Sequence, residues 1–306
     1  MGEPLKRSVM RYVFSRILKI MDLLKPSCTI VVALSFIACG GNRASVQLSS
    51  VNSAEQSKGS KTEIAGTPSA VITPTPELEV SFGKGLRIVP KRVDLQNESR
   101  RYRIDVVYPQ IEGSKSRGIF QLNRQIKDLV SKQYQWTLIP PTRADHRHYE
   151  KWPGVFNSVD LDYQVVLATD HLVSLYFEVY SYGIGAAHSV QQSFTMNIDL
   201  AVEKQINLAR LFRPDAKYLE FISAYCIREM SKDHQSVSDP IFKDELAPKL
   251  KNYESWNITK EGLRFNFDAC KIDGCAAGKE EVLIEFPALK EKMNPKSSVS
   301  SVATRA

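Results

Sequence analysis

Apolar and polar residues alternate from Arg101 to Tyr108, with Tyr102, Ile104, Val106 and Tyr108 on one side. That period of two predicts a half-buried strand, closed by Pro109. After a turn at Gly113-Ser114, Ile119, Leu122, Ile126, Leu129, Val130 and Tyr134 recur at three and four residues, with Arg124, Lys127, Asp128 and Lys132 between them. This predicts an amphipathic helix of about five turns, stopped before Pro140-Pro141 and lying on the strand.

From Val159 to Leu200 the period returns to two. Leu161, Tyr163, Val165 and Leu167 alternate with Asp162, Gln164 and Val166, and Ala168-Thr169-Asp170-His171 turns the chain. Val173, Leu175, Phe177 and Val179 then alternate with Ser174, Tyr176, Glu178 and Tyr180. In a third strand Phe194, Met196, Ile198 and Leu200 alternate with Gln191, Ser193, Thr195, Asn197 and Asp199. The pattern predicts an antiparallel meander with one face on the core and one in water.

Beyond it, Leu208, Leu211 and Phe212 predict a short helical turn. Tyr218, Phe221, Ile222, Tyr225, Cys226 and Met230 predict a helix entered at Pro214, and Asp239–Leu250 a shorter one. Trp256 to Thr259, Leu263 to Phe267 and Val282 to Phe286 read as extended segments. The fold class is α+β: an antiparallel meander with helices packed on one face, in two small subdomains over 79–156 and 157–293. The tail 294–306 carries no periodicity and is expected to be disordered.

The N-terminus is of another kind. Lys6, Arg7, Arg11, Arg16, Lys19 and Lys25 precede an apolar run from Cys28 to Ala38, the layout of a signal peptide over 1–38. The run is too short to cross a bilayer, which takes roughly 20 residues. Met21 opens a more compact signal and is an alternative start. Phe36-Ile37-Ala38-Cys39-Gly40 resembles a bacterial lipobox, which implies lipidation of Cys39, a membrane anchor, and, without an Asp among Gly40, Gly41 and Asn42, the outer membrane. Residues 39–78 are Ser-, Thr-, Gly- and Pro-rich and read as a disordered tether with a reach of roughly 35 Å.

Charge changes the picture once. The net +7 of the whole chain belongs largely to residues 1–38, and the part from 79 to 293 is left close to neutral. That is not the footprint of a nucleic-acid binder, which needs a dense basic surface. No phosphate loop, nucleophile elbow or zinc-protease helix is present, and the reading assigns no catalytic residue, cofactor or metal.

Three features could still carry chemistry. Gly183-x-Gly185 has the spacing of a phosphate loop, but His188 stands where the third glycine belongs and a strand follows instead of a helix, so the glycines are assigned to a bulged turn. His146-x-His148 would place two imidazoles on one side of an extended segment, but without a framed third ligand Thr142–Phe156 reads as a solvated loop. Cys270 and Cys275 suit a local disulfide in an exported protein, contributing roughly 2 kcal/mol. Cys226, on an apolar helix face, reads as a buried free thiol. The exposed residues of the second meander strand, Tyr176, Glu178, Tyr180 and Tyr182, together with His188, are the candidate ligand-binding residues, because aromatic and polar groups together suit a binding surface.

Tyr180-x-Tyr182, Gly185-Ala186-Ala187-His188, Phe194-x-Met196-x-Ile198-Asp199-Leu200 and Leu208-x-x-Leu211-Phe212 resemble the extracellular domain of unknown function in RsiV-type anti-sigma factors. The strand Tyr102–Tyr108, Pro109-Gln110-Ile111 and the helix near Asn123 resemble the companion domain found there and in PdaC-type peptidoglycan deacetylases. Val202-Glu203-Lys204 replaces the family's Thr-Gly-Lys turn, and Cys270–Cys275 stands where the family has no cysteine pair. Neither a sigma-binding segment nor a deacetylase catalytic domain accompanies these parts. The resemblance implies a non-enzymatic, envelope-anchored binding or sensing lipoprotein whose partner is wall-associated, a lysozyme-type muramidase or peptidoglycan. The alternative is an envelope enzyme or accessory acting on peptidoglycan or carbohydrate, with His188, Glu178 and Tyr180 as its residues.

Overall fold

The computed structural model describes residues 79–303 except 84, 233–243, 270 and 273–277. The expected signal peptide, Cys39, the tether, the Cys270–Cys275 pair and the start of the short helix at Asp239 lie outside the described residues. Within them the chain is α+β. Seven strands form one sheet in sequence order: β1 (Val80–Phe82), β2 (Leu86–Asn97), β3 (Tyr102–Glu112), β4 (Asn157–Ala168), β5 (Leu172–Tyr182), β6 (Val190–Asp199) and β7 (Lys204–Gln205). All neighbours are antiparallel except β3 and β4, which run parallel because helices α1 (Arg117–Tyr134) and α2 (Arg143–Tyr149) carry the chain back between them. The sheet therefore continues across the boundary expected at 156/157. A second sheet in the order β10-β9-β8 is made of β8 (Trp256–Ile258), β9 (Gly262–Phe267) and β10 (Glu280–Glu285).

Helix α1 forms where the period of 3.6 placed it. The Ser116 hydroxyl caps it by accepting the Ile119 N–H at 3.1 Å. Its buried residues Ile119, Leu122, Ile126 and Val130 meet Ile104, Val106, Val159, Leu175, Phe177 and Val179 from the sheet, with Phe177 stacked on Phe194 at 4.5 Å. Burying each such side chain contributes about 1.5–3 kcal/mol.

A second core lies between the small sheet and helix α3 (Tyr218–Met230). There Ile258, Leu263, Phe265 and Phe267 pack with Ile222, Cys226 and Met230, and Tyr253 meets Phe265 edge-on at 5.7 Å. The chain after β10 continues into helix α4 (Phe286–Leu289) and ends in helix α5 (Ser300–Ala303).

The sheet face opposite α1, expected to be wet, is partly covered. Asn257 of β8 donates to Ser174 Oγ at 2.9 Å and to the Leu175 carbonyl at 3.0 Å. Asn197 donates to the Trp256 carbonyl at 2.8 Å, and its Oδ1 accepts from Ser174 and from the Ile258 N–H. The two sheets thus meet through buried amides and hydroxyls that satisfy one another, which alternation along a single strand does not reveal.

Two further expectations are corrected. Thr142–Phe156 is not a loop throughout: Thr142 and Asp145 form a capping box that starts α2, since Thr142 Oγ1 accepts the Asp145 N–H and Asp145 accepts the Thr142 N–H. Residues 294–303 of the expected tail are ordered: the Asn294 N–H bonds the Leu211 carbonyl at 2.8 Å and Val299 is fully buried, so this segment packs on the second core.

Candidate functional site

The β4–β5 ladder sets out the site. Across it Gln164 faces Tyr176, Asp162 faces Glu178, Asp160 faces Tyr180 and Ser158 faces Tyr182. On the other side of β5, Thr195 faces Tyr176, Ser193 faces Glu178 and Gln191 faces Tyr180. Asp105 of β3 continues the row next to Asp160. All these side chains share the face opposite α1, because strand side chains alternate.

Tyr176, taken from the alternation as exposed, is buried at 5 % exposure. Lys279 Nζ stands 5.1 Å from its ring centroid and Arg264 Cζ 5.8 Å, so the small sheet lays two cations over the ring. Burial, and then the Glu178 carboxylate, push its phenol well above the ordinary tyrosine range. Glu178 accepts from Gln191 Nε2 at 2.5 Å and pairs with Lys279 at 3.5 Å; Lys279 and Arg264 also approach Glu281 at 3.9 and 3.5 Å. Asp268 accepts from Ser193 Oγ at 2.6 Å at the foot of the group.

Further along the strands Asp105 pairs with Arg92 at 2.8 Å, and Asp160 and Asp162 follow on β4. Asp160 and Asp162 are half-buried. Burial raises the pKa of both. For Asp160 the Arg103 guanidinium opposes the rise and Asp105 adds to it; for Asp162 the Tyr163 N–H opposes it and Glu178 and Asp105 add to it. Tyr180 is also raised, by burial first and Glu178 second. The face can therefore offer carboxylates that already repel one another, beside phenols that stay protonated.

The turn beyond β5 is held separately. Gly185 has φ +89°, and a Cβ there would lie 2.5 Å from His148 Nε2, so the expected positive-φ glycine is one of the two, Gly185. His148 Nε2–H donates to the Ile184 carbonyl at 3.1 Å, and Asn157 Oδ1 accepts the Ile184 N–H at 2.8 Å. His148 locks the turn, while His146, two residues earlier on α2, is exposed. The helix separates the two imidazoles that an extended chain would have set side by side. Among the described residues no group of three His, Cys, Asp or Glu is placed to hold a metal.

Of the five sequence candidates, Tyr176, Glu178 and Tyr180 stand together, Tyr182 turns its hydroxyl to the Ala186 carbonyl at 3.1 Å, and His188 is exposed with Nδ1 2.9 Å from the Ser189 carbonyl. His188 bonds neither Glu178 nor Tyr180. Asp160, Asp162, Lys279 and Arg264 were missed. For the two aspartates the signal was their place in the β4 alternation opposite the β5 candidates; for the two cations, which lie more than eighty residues further along the chain, the sequence held none.

The comparisons fall on these two sheets. The family model described as Deacetylase PdaC matches residues 95–191, and that of the protein of unknown function DUF3298 matches 209–286. Each match covers less than half of the chain, which is similar to both domains. The first match runs from the last three residues of β2 to the start of β6 and so covers the carboxylate row; the second covers Arg264 and Lys279. The chain is similar to the peptidoglycan-N-acetylmuramic acid deacetylase PdaC of Bacillus subtilis, at 24 % identity over 198 residues, 64 % of this chain. It spans only 40 % of that relative's length. A crystal structure of a DUF3298 family member from Bacteroides fragilis shares the fold at a TM-score of 0.51 and 16 % identity, covering 72 % of this chain and 98 % of that one. A DUF3298 protein from Pseudomonas aeruginosa gives 0.46 and 15 % over 68 % of this chain and 95 % of its own.

Proposed function

We propose that the protein is a non-enzymatic binding module of the cell envelope, tethered through a lipid on Cys39, which recognises a basic wall-associated protein of the lysozyme-type muramidase class. The observation that carries the reading is the row Asp160, Asp162 and Glu178 beside Tyr176 and Tyr180. The folded part is near neutral as a whole, but this face gathers carboxylates directly opposite one another, a placement that costs stability unless a cationic partner uses it. The PdaC-type relative, named for its action on peptidoglycan, supports an envelope setting. Its activity is that protein's, of whose length this chain spans 40 %.

The enzyme alternative rests on His188, Glu178 and Tyr180 acting together. His188 is turned to its own neighbour's carbonyl, which favours the binding reading. Incubating the full chain with peptidoglycan and measuring released acetate and reducing ends tests the choice. No release above the protein-free control is expected. Turnover exceeding one acetate or one reducing end per protein molecule contradicts the non-enzymatic reading.

A further inference from the structure

At the β7 edge, away from the carboxylate row, a cavity of about 600 Å³ opens between three chain segments. The end of β6 and β7 supply Asp199, Lys204 and Gln205, the turn after β7 supplies Arg210, and the C-terminal segment supplies Asn294 and Lys296. Its apolar lining comes from Val202, Ile206, Ala209, Leu211, Phe212 and Pro214, of which Leu211 and Phe212 are buried, with the Phe212 ring stacked on Tyr218 at 4.7 Å. The C-terminal wall is fixed by backbone bonds: Asn294 N–H to Leu211 O at 2.8 Å, and Arg213 N–H to Lys292 O at 2.9 Å. The segment expected to be a loose tail is thus one side of a built cavity.

The charges in it are unbalanced. Among the described residues Lys204, Arg210 and Lys296 make no ion pair, although Lys204 faces Asp199 in the β6–β7 ladder. Asp199 Oδ1 instead accepts the N–H groups of Ala201 and Val202 at 2.8 and 3.3 Å, closing the turn. Three exposed cations from separate segments therefore border one cavity with their charge unspent.

We propose that this cavity binds an acidic saccharide of about disaccharide size. Its carboxylate would lie among Lys204, Arg210 and Lys296, where charge-assisted hydrogen bonds are strongest. Gln205 and Asn294 each offer a donor and an acceptor, the pairing that sugar hydroxyls require, and Asp199 adds an acceptor. Val202, Ala209 and Pro214, exposed along the cavity, give the C–H face of a pyranose an apolar surface, and the volume lies within the range of small-molecule sites. A wholly apolar ligand would leave the cations desolvated, and a polyphosphate would meet Asp199. This site shares no residue with the β4–β5 face and does not rest on the reading given for it.

Calorimetric titration of the full chain tests the proposal with three probes: a disaccharide containing N-acetylmuramic acid, a digalacturonate, and neutral diacetylchitobiose. Saturable binding is expected for at least one acidic sugar, at least about tenfold tighter than for the neutral one. Lys204→Ala/Arg210→Ala should weaken it at least about tenfold, Lys296→Glu should weaken it alone, and Lys127→Ala on the exposed side of α1 should leave it unchanged. The altered side chains are exposed, and a thermal melt matching the parent's confirms folding. Equal binding of the neutral sugar, no saturable binding of either acidic one, or binding indifferent to both cavity variants would overturn the assignment.

Discussion

Glu178 stands directly across the β4–β5 ladder from Asp162, so two carboxylates occupy one cross-strand pair on one face of the sheet. Lys279 approaches Glu178 at 3.5 Å and, among the described residues, no cation pairs with Asp162, which accepts the Tyr163 N–H at 2.7 Å. A like-charge pair left half relieved is a local cost to folding that neutralisation should remove.

Asp162→Asn keeps an oxygen for the Tyr163 N–H and removes the repulsion. It should raise stability near neutral pH by about 0.2–1 kcal/mol. The carboxyls of Asp160 and Asp162 have folded pKa values above their unfolded ones, so the folded state holds their protons more tightly. Their penalty is present above the folded pKa and fades as pH falls through it towards the unfolded value. Urea unfolding of parent and variant should therefore show a gap at about pH 7 that closes near about pH 4. A gap that widens on acidification would reverse the sign.

Between the sheets, Asn197→Ala would strip partners from Ser174 Oγ and the Ile258 N–H, and free the Trp256 carbonyl. Leaving such groups buried should cost about 2–3 kcal/mol, against less than about 0.5 kcal/mol for Gln192→Ala on the exposed strand edge. Equilibrium denaturation of the two variants makes the comparison.

At the turn after β5, Gly185→Ala meets two obstacles, a left-handed backbone and the His148 ring. A loss of about 1–3 kcal/mol is expected. Adding His148→Ala should restore only part of it, because the ring is removed while the φ is not. A double-mutant cycle on melting curves reads both terms.

Much of this fold was legible because its signals are local. The spacing of Ile119, Leu122, Ile126 and Val130 placed α1, and the alternation of Val173 to Val179 placed the buried face of β5. What escaped depends on partners distant in sequence. β2 was overlooked because beyond Ile88 its residues are largely exposed and Pro90 interrupts the pattern, so only pairing with β3, with Pro90 facing Pro109, makes it a strand. Tyr176 lay on the side of the alternation assigned to water, and nothing in β5 said that Lys279, more than a hundred residues on, would cover it. The capping box Thr142-x-x-Asp145 was present in the sequence, but the polar residues after it masked the helix it starts.

Cys226 behaves as its apolar neighbours imply. It is fully buried, and burial, with Glu229 adding to it, pushes the thiol up to about 12. The thiolate fraction at neutral pH is negligible, so alkylation mapped to the Cys226 peptide should be slow in the native protein and rapid in denaturant. Equal rates in both conditions would contradict the buried position.

The account turns on the carboxylate face, and one titration reaches it most directly. Lysozyme-type muramidase is added to the full chain, and to Asp160→Asn/Asp162→Asn/Glu178→Gln, in a calorimeter at low and high salt. Binding is predicted for the parent at low salt, weakened as salt screens the charges, and at least about tenfold weaker in the triple variant. No binding at low salt, or a triple variant that binds as tightly as the parent, would contradict the account.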